Sequence, residues 1–260
     1  MSKRTSRKSR GSGTYVSQSY RTHGIILRTY KLAEADRIIV LLTADHGQIR
    51  AVAKGVRRTT SKFGSTLEPF MHTRLQLVPR RSLDIIVQTE TIQPYGMMLT
   101  NDYDTFGSAS AMVETAEQLT RDEDPADAGD QYRLLHGAIA ALARRAAAPT
   151  MLLASYLLRA VTLAGWAPVF TQCAQCGLEG THNWVSVVLG GVLCDECAPP
   201  QTPYVTDDDV ALLVALHEGD WPAVNQAQPA QMRQATGFIA EYLQYHLEQH
   251  LQSLSVMDQG

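Results

Sequence analysis

The N-terminal part of the chain contains short apolar segments, rich in Ile and Val, that are separated by turn residues. This pattern is typical of β-strands rather than helices. Asp45, His46 and Gly47 fall between the second and third segments and predict a hairpin turn. Five such strands predict a small closed or partly open barrel of the OB type, with an SH3-like barrel as the alternative. The predicted strands cover residues 22–30, 37–43, 48–54, 70–78 and 83–91.

The alternation of side chains predicts which residues face the barrel interior, because successive side chains of a strand point to opposite faces. In the third strand, Ile49, Ala51 and Ala53 predict the inner face, which directs Arg50 and Lys54 outward. In the fourth strand the predicted inner set is Met71, Thr73, Leu75 and Leu77. The residues predicted to point away from the core are Phe70, His72, Arg74 and Gln76.

From about residue 101 onward, apolar residues recur at steps of three and four, as amphipathic helices require. Thr206 followed by Asp209 is an N-cap pattern, and Gly219 would end the helix that it starts. The predicted helices cover residues 106–119, 132–142, 149–165, 206–219 and 229–251.

Charge divides the chain more sharply than its net value of -3 suggests. Residues 1–81 carry 17 Lys and Arg against 4 Asp and Glu, and residues 82–260 carry 6 against 22, so the sums are +13 and -16. A hydrophobic content of 45% and a charged content of 19% are ordinary for globular proteins and argue against wholesale disorder. The basic first third therefore predicts a polyanionic partner for that part alone.

These patterns together predict an α+β multidomain protein. Its parts are an N-terminal five-stranded OB-fold barrel and a C-terminal helical bundle with an inserted four-cysteine zinc module. The predicted divisions are a basic flexible tail at 1–20, the OB-fold domain at 21–95, the first helical part at 96–170, the zinc module at 171–200 and the second helical part at 201–260.

No segment is long and apolar enough to predict a transmembrane helix, since the stretch 146–158 falls well short of the length that a bilayer requires. The N-terminal segment is basic and rich in Ser but lacks the apolar core of a secretory signal. We therefore expect a cytoplasmic protein, with a transit peptide as the alternative interpretation of the tail.

The four cysteines of the chain form two C-x2-C pairs separated by 17 residues, a spacing typical of zinc sites. A disulfide framework is the alternative, but it does not suit a reducing compartment. Four thiolates complete a tetrahedral shell and leave no position for water or substrate, which predicts one structural zinc ion per chain. The predicted ligands are Cys173, Cys176, Cys194 and Cys197.

Sequence signatures of common enzymes are missing from the chain, which favours a protein without a catalytic centre. It has no G-x4-GK[ST] phosphate loop, no G-x-G-x2-G motif and no G-x-S-x-G motif. The deaminase pattern fails because Leu193 stands where proline should precede Cys194. His246 and His250 do not form the H-E-x2-H metalloprotease pattern, so we expect a polar helix face there.

Residues 24–70 resemble the N-terminal domain of the bacterial RecO family of recombination mediators. The most specific segments are AVAKGVRR at 51–58, SKFG at 61–64 and LEPF at 67–70. LLRAVTLAGWAP at 157–168, with CAQCG at 173–177 and GGVLCDEC at 190–197, is similar to the helical core and zinc motif of that family. The tail and the region after Tyr204 fit the family pattern less well.

The resemblance implies a protein that binds single- and double-stranded DNA and anneals complementary strands. It also implies action with RecR, and in some pathways RecF, to load RecA onto DNA covered by single-strand-binding protein. A second hypothesis, from another class, is a zinc-stabilised RNA-processing or nucleic-acid-modifying enzyme that captures its substrate with an OB domain.

Cations in and around the predicted third and fourth strands are the candidate DNA contacts, because phosphate affinity requires exposed Lys and Arg. The candidates are Arg50, Lys54, Arg57, Arg58, Lys62, Arg74, Arg80 and Arg81. Basic residues of the tail are predicted to assist them, namely Lys3, Arg4, Arg7, Lys8 and Arg10.

Overall fold

The computed structural model describes residues 19–100, 102–125 and 128–257, with side chains described up to residue 248. Five strands form a closed barrel in the order β1-β2-β3-β5-β4. Neighbouring strands are antiparallel except for β3 and β5, which pair in parallel. The strands are β1 (Tyr20–Leu32), β2 (Asp36–Thr43), β3 (Gln48–Ala53), β4 (His72–Val78) and β5 (Asp84–Gln93). The closed barrel is of the OB type, so that prediction is confirmed.

Helices make up most of the chain after the barrel, and two short elements were not predicted from sequence. These are α1 (Tyr95–Leu99) and α6 (Trp221–Val224). The longer helices are α2 (Tyr103–Leu119), α3 (Ala128–Ala143), α4 (Pro149–Leu163), α5 (Asp207–Glu218) and α7 (Pro229–Met257). A two-stranded sheet of β6 (Trp184–Ser186) and β7 (Gly191–Leu193) lies between α4 and α5.

The predicted signals at both ends of α5 are present in the structure. The amide of Asp209 donates to the Thr206 hydroxyl at 3.2 Å, and the Asp209 carboxylate accepts from the Thr206 amide at 2.9 Å. This reciprocal capping box satisfies two backbone donors that the first turn of a helix leaves free. Gly219 ends the helix with a left-handed backbone, as predicted.

The barrel strands bury apolar side chains on both faces. Inside the barrel, Ile49, Ala51 and Ala53 pack with Met71, Leu75 and Leu77, so the predicted inner faces of β3 and β4 are confirmed. Outside it, a second core joins the barrel to the helices. The barrel residues in that second core are Ile25, Leu27, Val40, Leu42 and Phe70. The barrel and the helices that cover it are therefore one packed body.

His72 points away from the barrel interior, as predicted, yet it is buried beneath the helical part. It lies in a cluster with His23 of β1 and His136 of α3, with ring centroids 5.7 and 4.5 Å from its own. Its Nε2 is 3.0 Å from the Tyr132 hydroxyl, whereas its Nδ1 has no partner among the described residues. Burial lowers the pKa of His72 to about 4, with further lowering by His136, His23 and Arg74.

None of the helices in the described part of the chain combines the length and the hydrophobicity needed to cross a bilayer.

The neutral state of His72 makes stability depend on pH. Because its folded pKa lies below the ordinary value of 6.5, its contribution is complete above that value and is lost as the pH falls towards 4. We expect the free energy of unfolding to fall by about 2 kcal/mol from this group between neutral pH and about pH 4.5. Urea unfolding at a series of pH values measures this change in the free energy of unfolding.

One variant separates this effect from the titration of carboxylates. His72→Gln should flatten the pH dependence by the same amount, because it removes this imidazole and retains every carboxylate. Equal pH dependence in wild type and His72→Gln would contradict the assignment.

Candidate nucleic-acid interface and metal site

The four cysteines converge on one point although they come from two separate turns. Their Sγ atoms all lie within 4.8 Å of one another. The Sγ atoms of Cys176 and Cys194 are 3.8 Å apart. A tetrahedral zinc ion with Zn–S bonds of about 2.3 Å would hold its sulfurs about 3.8 Å apart, so the arrangement fits such an ion. The four cysteines are thus positioned to bind a metal.

Each C-x2-C pair forms a tight turn with its own backbone hydrogen bonds. The Gly177 amide donates to the Cys173 carbonyl at 2.9 Å, and the Cys197 amide donates to the Cys194 carbonyl at 3.1 Å. Gly177 has a φ of +76°, a conformation that glycine adopts without steric cost. This is the reason that a glycine follows the first pair.

Hydrogen bonds and the short distances between the sulfurs shift the pKa values of two of the thiols in opposite directions. Burial alone would raise the pKa of Cys173, but hydrogen bonds from backbone groups at Cys176, Cys194 and Gln175 lower it to about 6. Contact with Cys194, and then with Cys176, raises the pKa of Cys197 to about 12. Four thiolates this close repel one another, so their joint deprotonation requires a positive ion among them.

The cysteine turns are fixed to the helical part by the small sheet. Trp184 of β6 donates from Nε1 to the Asp195 carboxylate at 2.8 Å, between the second pair of cysteines. The Val192 amide of β7 donates to the Val169 carbonyl at 2.9 Å, just after α4. Loss of the metal should therefore loosen the connection between α4 and α5.

Two histidines near these elements have other contacts. His182 donates from Nε2 to the Leu178 carbonyl at 2.8 Å and is not part of the sulfur group. His246 of α7 stacks on Trp166, with ring centroids 5.6 Å apart. The side chain of His250 lies outside the described residues.

Most of the candidate DNA contacts lie on β3 and the segment that follows it. Arg50, Lys54 and Arg58 are exposed, and no carboxylate among the described residues forms an ion pair with them. We call residues 54–62 the basic loop. Lys62, at its end, donates from Nζ to the Val87 carbonyl of β5 at 2.8 Å. The basic loop therefore lies beside β5.

Arg80 and Arg81 lie at a second position, on the turn between β4 and β5, and both are exposed. Residue Asp84, at the start of β5, pairs with Ala51 of β3. Because Arg50 precedes Ala51, the β4–β5 turn and β3 meet along the parallel β3–β5 seam. The tail residues Lys3, Arg4, Arg7, Lys8 and Arg10 lie outside the described residues.

Two other barrel cations form ion pairs with carboxylates. Arg74, a predicted DNA contact, pairs with Glu90 of the neighbouring strand at 2.7 Å. Arg28 pairs with Glu117 of α2 at 2.7 Å, and the Glu117 side chain is only 9% exposed. A cation held in this way offers less charge to a phosphate, so the cationic surface is concentrated near the β3–β5 seam.

Lys31 was not among the predicted DNA contacts, although the chain leads directly from it into a turn that contacts the basic loop. Lys31 is exposed near the end of β1, just before the turn that leads into β2. That turn contacts the loop, because the Ala35 carbonyl accepts from the Arg57 amide at 3.0 Å. Its position could have identified it as a candidate from the sequence, because it is a basic residue at the end of a predicted strand and next to a turn.

Comparison with known proteins agrees with this architecture. Two family models match the chain, "Recombination protein O N terminal" over residues 17–95 and "Recombination protein O C terminal" over residues 100–255. The OB-type barrel, the helical part and the cysteine cluster thus define a protein of the recombination and repair class. The chain belongs to the RecO family of DNA repair proteins.

Similar proteins with the name "DNA repair protein RecO" occur in several bacteria. That of Nocardioides sp. is 46% identical over 242 residues, which cover 92% of this chain and 99% of the relative. That of Cutibacterium acnes is 42% identical over 245 residues, 92% of this chain and 99% of the relative. That of Streptomyces coelicolor is 44% identical over 245 residues, 92% and 98% of the two chains.

Removing one sulfur should abolish metal binding and loosen the helical part. For Cys173→Ser we expect the metal content to fall from about one ion per chain to near zero, and stability to fall by several kcal/mol, because metal energy at such sites is folding energy. Elemental analysis of fresh protein and urea unfolding measure both quantities. His182→Ala, next to the cluster but outside it, should keep the metal. Full stability of metal-free wild-type protein would contradict this role.

Proposed function

We propose that the chain binds single- and double-stranded DNA through the cations along the β3–β5 seam, and that it anneals complementary strands. The observation that carries the proposal is the difference between paired and unpaired cations. Arg28 and Arg74 are matched by carboxylates, whereas Arg50, Lys54 and Arg58 remain exposed and without ion pairs among the described residues. Unpaired surface cations are what a phosphate backbone recruits.

The contact is with phosphates rather than with bases. Of the three aromatic residues between residues 21 and 81, Phe63 and Phe70 are 3% and 4% exposed and are used in packing. The third, Tyr30, donates its hydroxyl to the Glu117 carboxylate at 3.2 Å. Tyr20 at the start of β1 donates its hydroxyl to Asp84, and Tyr30 is 40% exposed, so the described barrel surface offers isolated rings rather than the row on which single-strand binders stack bases. Binding of this kind is nearly independent of DNA sequence.

Phosphate neutralisation also accounts for strand annealing. Two single strands repel each other through their backbones until cations reduce that charge. A protein that covers phosphates and leaves the bases uncovered lowers the repulsion and leaves the pairing edges available. The OB-type barrel, which we assign to residues 21–95, supplies this surface, and the acidic helical part supplies scaffold and protein contacts.

The four cysteines hold one structural zinc ion in this proposal. Four sulfurs form the shell of a closed site, and zinc is the ion for which this donor set and tetrahedral spacing are most typical. The ion has no part in chemistry on DNA. The protein works at the bacterial nucleoid, in the cytoplasm, without a catalytic centre of its own.

RecR is the proposed protein partner, and the task of the pair is to load RecA on DNA that single-strand-binding protein covers, with RecF in some pathways. The sequence has no phosphate loop that could couple ATP hydrolysis to displacement of a covering protein. The energy must then come from differences in binding affinity. Family membership supports the choice of partner.

Charge reversal in the basic loop tests the DNA surface. Arg57→Glu combined with Arg58→Glu should weaken binding of any DNA sequence by at least about tenfold and flatten the plot of log affinity against log salt by about two units. For the wild type we expect a slope of about -4 to -7, as for five to eight neutralised phosphates. Fluorescence anisotropy with labelled oligonucleotides over a salt series gives both values.

The matched control is Arg144→Glu combined with Arg145→Glu, an exposed pair of neighbouring arginines just after α3 that undergoes the same change of charge. This control should bind DNA far more tightly than the loop variant. Equal losses in both variants, or a wild-type affinity that does not depend on salt, would overturn the proposed surface.

Complex formation with RecR tests the partner. Because the barrel surface is strongly cationic and salt screens charge contacts, the complex should be strongest at low ionic strength. Light scattering of the two purified proteins, alone and mixed, measures the mass of any complex. No complex at low salt, with both proteins folded, would remove the partner from the proposal and leave DNA binding intact.

A further inference from the structure

The basic loop is held in one shape by contacts with the turn between β1 and β2 and with Asp36, the first residue of β2. At its start, the Gly55 amide donates to the Asp36 carboxylate at 2.7 Å. Two residues later, Arg57 donates from its amide to the Ala35 carbonyl at 3.0 Å and from its guanidinium to the Glu34 carbonyl at 2.8 Å. These hydrogen bonds therefore anchor the backbone that carries the cations of the loop.

The far end of the loop is fixed as well. Lys62 donates to the Val87 carbonyl, and the next residue, Phe63, is buried in the barrel core. Between these ends the loop has its own turn, in which the Arg58 amide donates to the Gly55 carbonyl at 3.1 Å. The loop is thus ordered at both ends. The conformation at its start depends on the hydrogen bond between Gly55 and Asp36.

Asp36 differs from the other hydrogen-bond acceptors at the start of the basic loop. The carbonyls of Glu34 and Ala35 belong to the backbone, so no substitution removes them, whereas the acceptor for Gly55 is a side chain. Gly55 has a φ of +68°, and the hydrogen bond holds its amide where the chain reverses direction after β3. A carboxylate that accepts from an amide makes a stronger hydrogen bond than a neutral acceptor does.

The charge of Asp36 and its hydrogen bond have opposite effects on DNA binding. Residues 1–81 contain only four acidic side chains, and Asp36 stands at the base of the cationic surface. Its negative charge repels phosphates, so electrostatics alone predicts tighter binding when the charge is removed. Its hydrogen bond keeps the cations in place, so loss of the bond predicts weaker binding.

We propose that Asp36 is a positioning residue for DNA, because its carboxylate fixes the entry of the basic loop and thereby presents Arg57, Arg58 and Lys62 as a preformed array. This inference rests on the proposed function of the barrel surface. A preformed array loses little conformational freedom on binding, whereas a loose loop has to be ordered by the DNA at a cost in affinity. The hydrogen bond therefore outweighs the unfavourable charge.

Three variants of the full chain separate the two effects. Asp36→Ala removes both the charge and the acceptor, and Asp36→Asn removes the charge but keeps an acceptor oxygen. The matched control is Asp45→Ala, which deletes the same charge from the turn between β2 and β3, away from the loop. Affinity is measured by anisotropy with a labelled mixed-sequence single strand. Amide hydrogen exchange of residues 54–58 is measured without DNA.

For Asp36→Ala we expect DNA binding about three- to tenfold weaker than in the wild type, together with faster exchange in the loop. Asp36→Asn should restore slow exchange and bind at least as tightly as the wild type. Asp45→Ala should also bind at least as tightly. Weaker binding after loss of a negative charge is an outcome that electrostatics alone does not give.

Several results would overturn the inference. They are Asp36→Ala binding as tightly as the wild type or more tightly, weakened binding with unchanged loop exchange, and faster exchange with unchanged binding. If Asp36→Ala does not fold, Asp36→Leu repeats the test, because leucine has nearly the same shape as aspartate but carries no acceptor. Failure of the wild type to bind DNA would instead refute the proposed function, and the exchange data would still decide whether Asp36 holds the loop.

Discussion

Burial of apolar side chains on both faces of β1 and β2 is the constraint on which the rest of the structure depends. Ile26, Ile39 and Leu41 fill the barrel, while Val40 and Leu42 face outward into a core shared with the helices. Each such side chain contributes about 1.5–3 kcal/mol when it is fully buried. A barrel without its helices would expose this outer face to water, so the two parts stabilise each other.

The packing of the helices on the barrel also determines which barrel cations remain available to bind phosphates. Where α2 covers the barrel, Arg28 forms ion pairs with Glu114 and the nearly buried Glu117. Loss of Arg28 would leave the Glu117 charge buried without its partner, which is costly. Near the β3–β5 seam, Arg50, Lys54 and Arg58 form no ion pair with a carboxylate of the described residues. The acidic helical part thus shapes the basic surface by neutralising one side of it.

The strands, the OB-type barrel and the cysteine cluster could be predicted from the sequence, whereas the contacts between the barrel and the helices could not. Turn residues and alternation placed all five strands, the Thr206 cap placed α5, and cysteine spacing placed the metal site. By contrast, period-two alternation directs Phe70 and His72 outward but does not reveal that helices cover them. The pairing of Arg74 with Glu90 depends on the strand register, which is a tertiary property. The exposure of a predicted contact residue could therefore be judged only from the structure.

Closure of the barrel limits how other molecules can recognise it. An open sheet presents an edge strand whose free amides and carbonyls invite an extended peptide to add a further strand. Here β3 and β5 close the ring through Ala51–Asp84 and Val52–Ile85, so no free edge remains at these positions, and Lys62 of the basic loop contacts β5 further along at Val87. A protein that approaches this closure meets loops and side chains rather than a free strand edge. Recognition of that kind can differ between related bacteria through surface substitutions alone, without any change in the barrel itself.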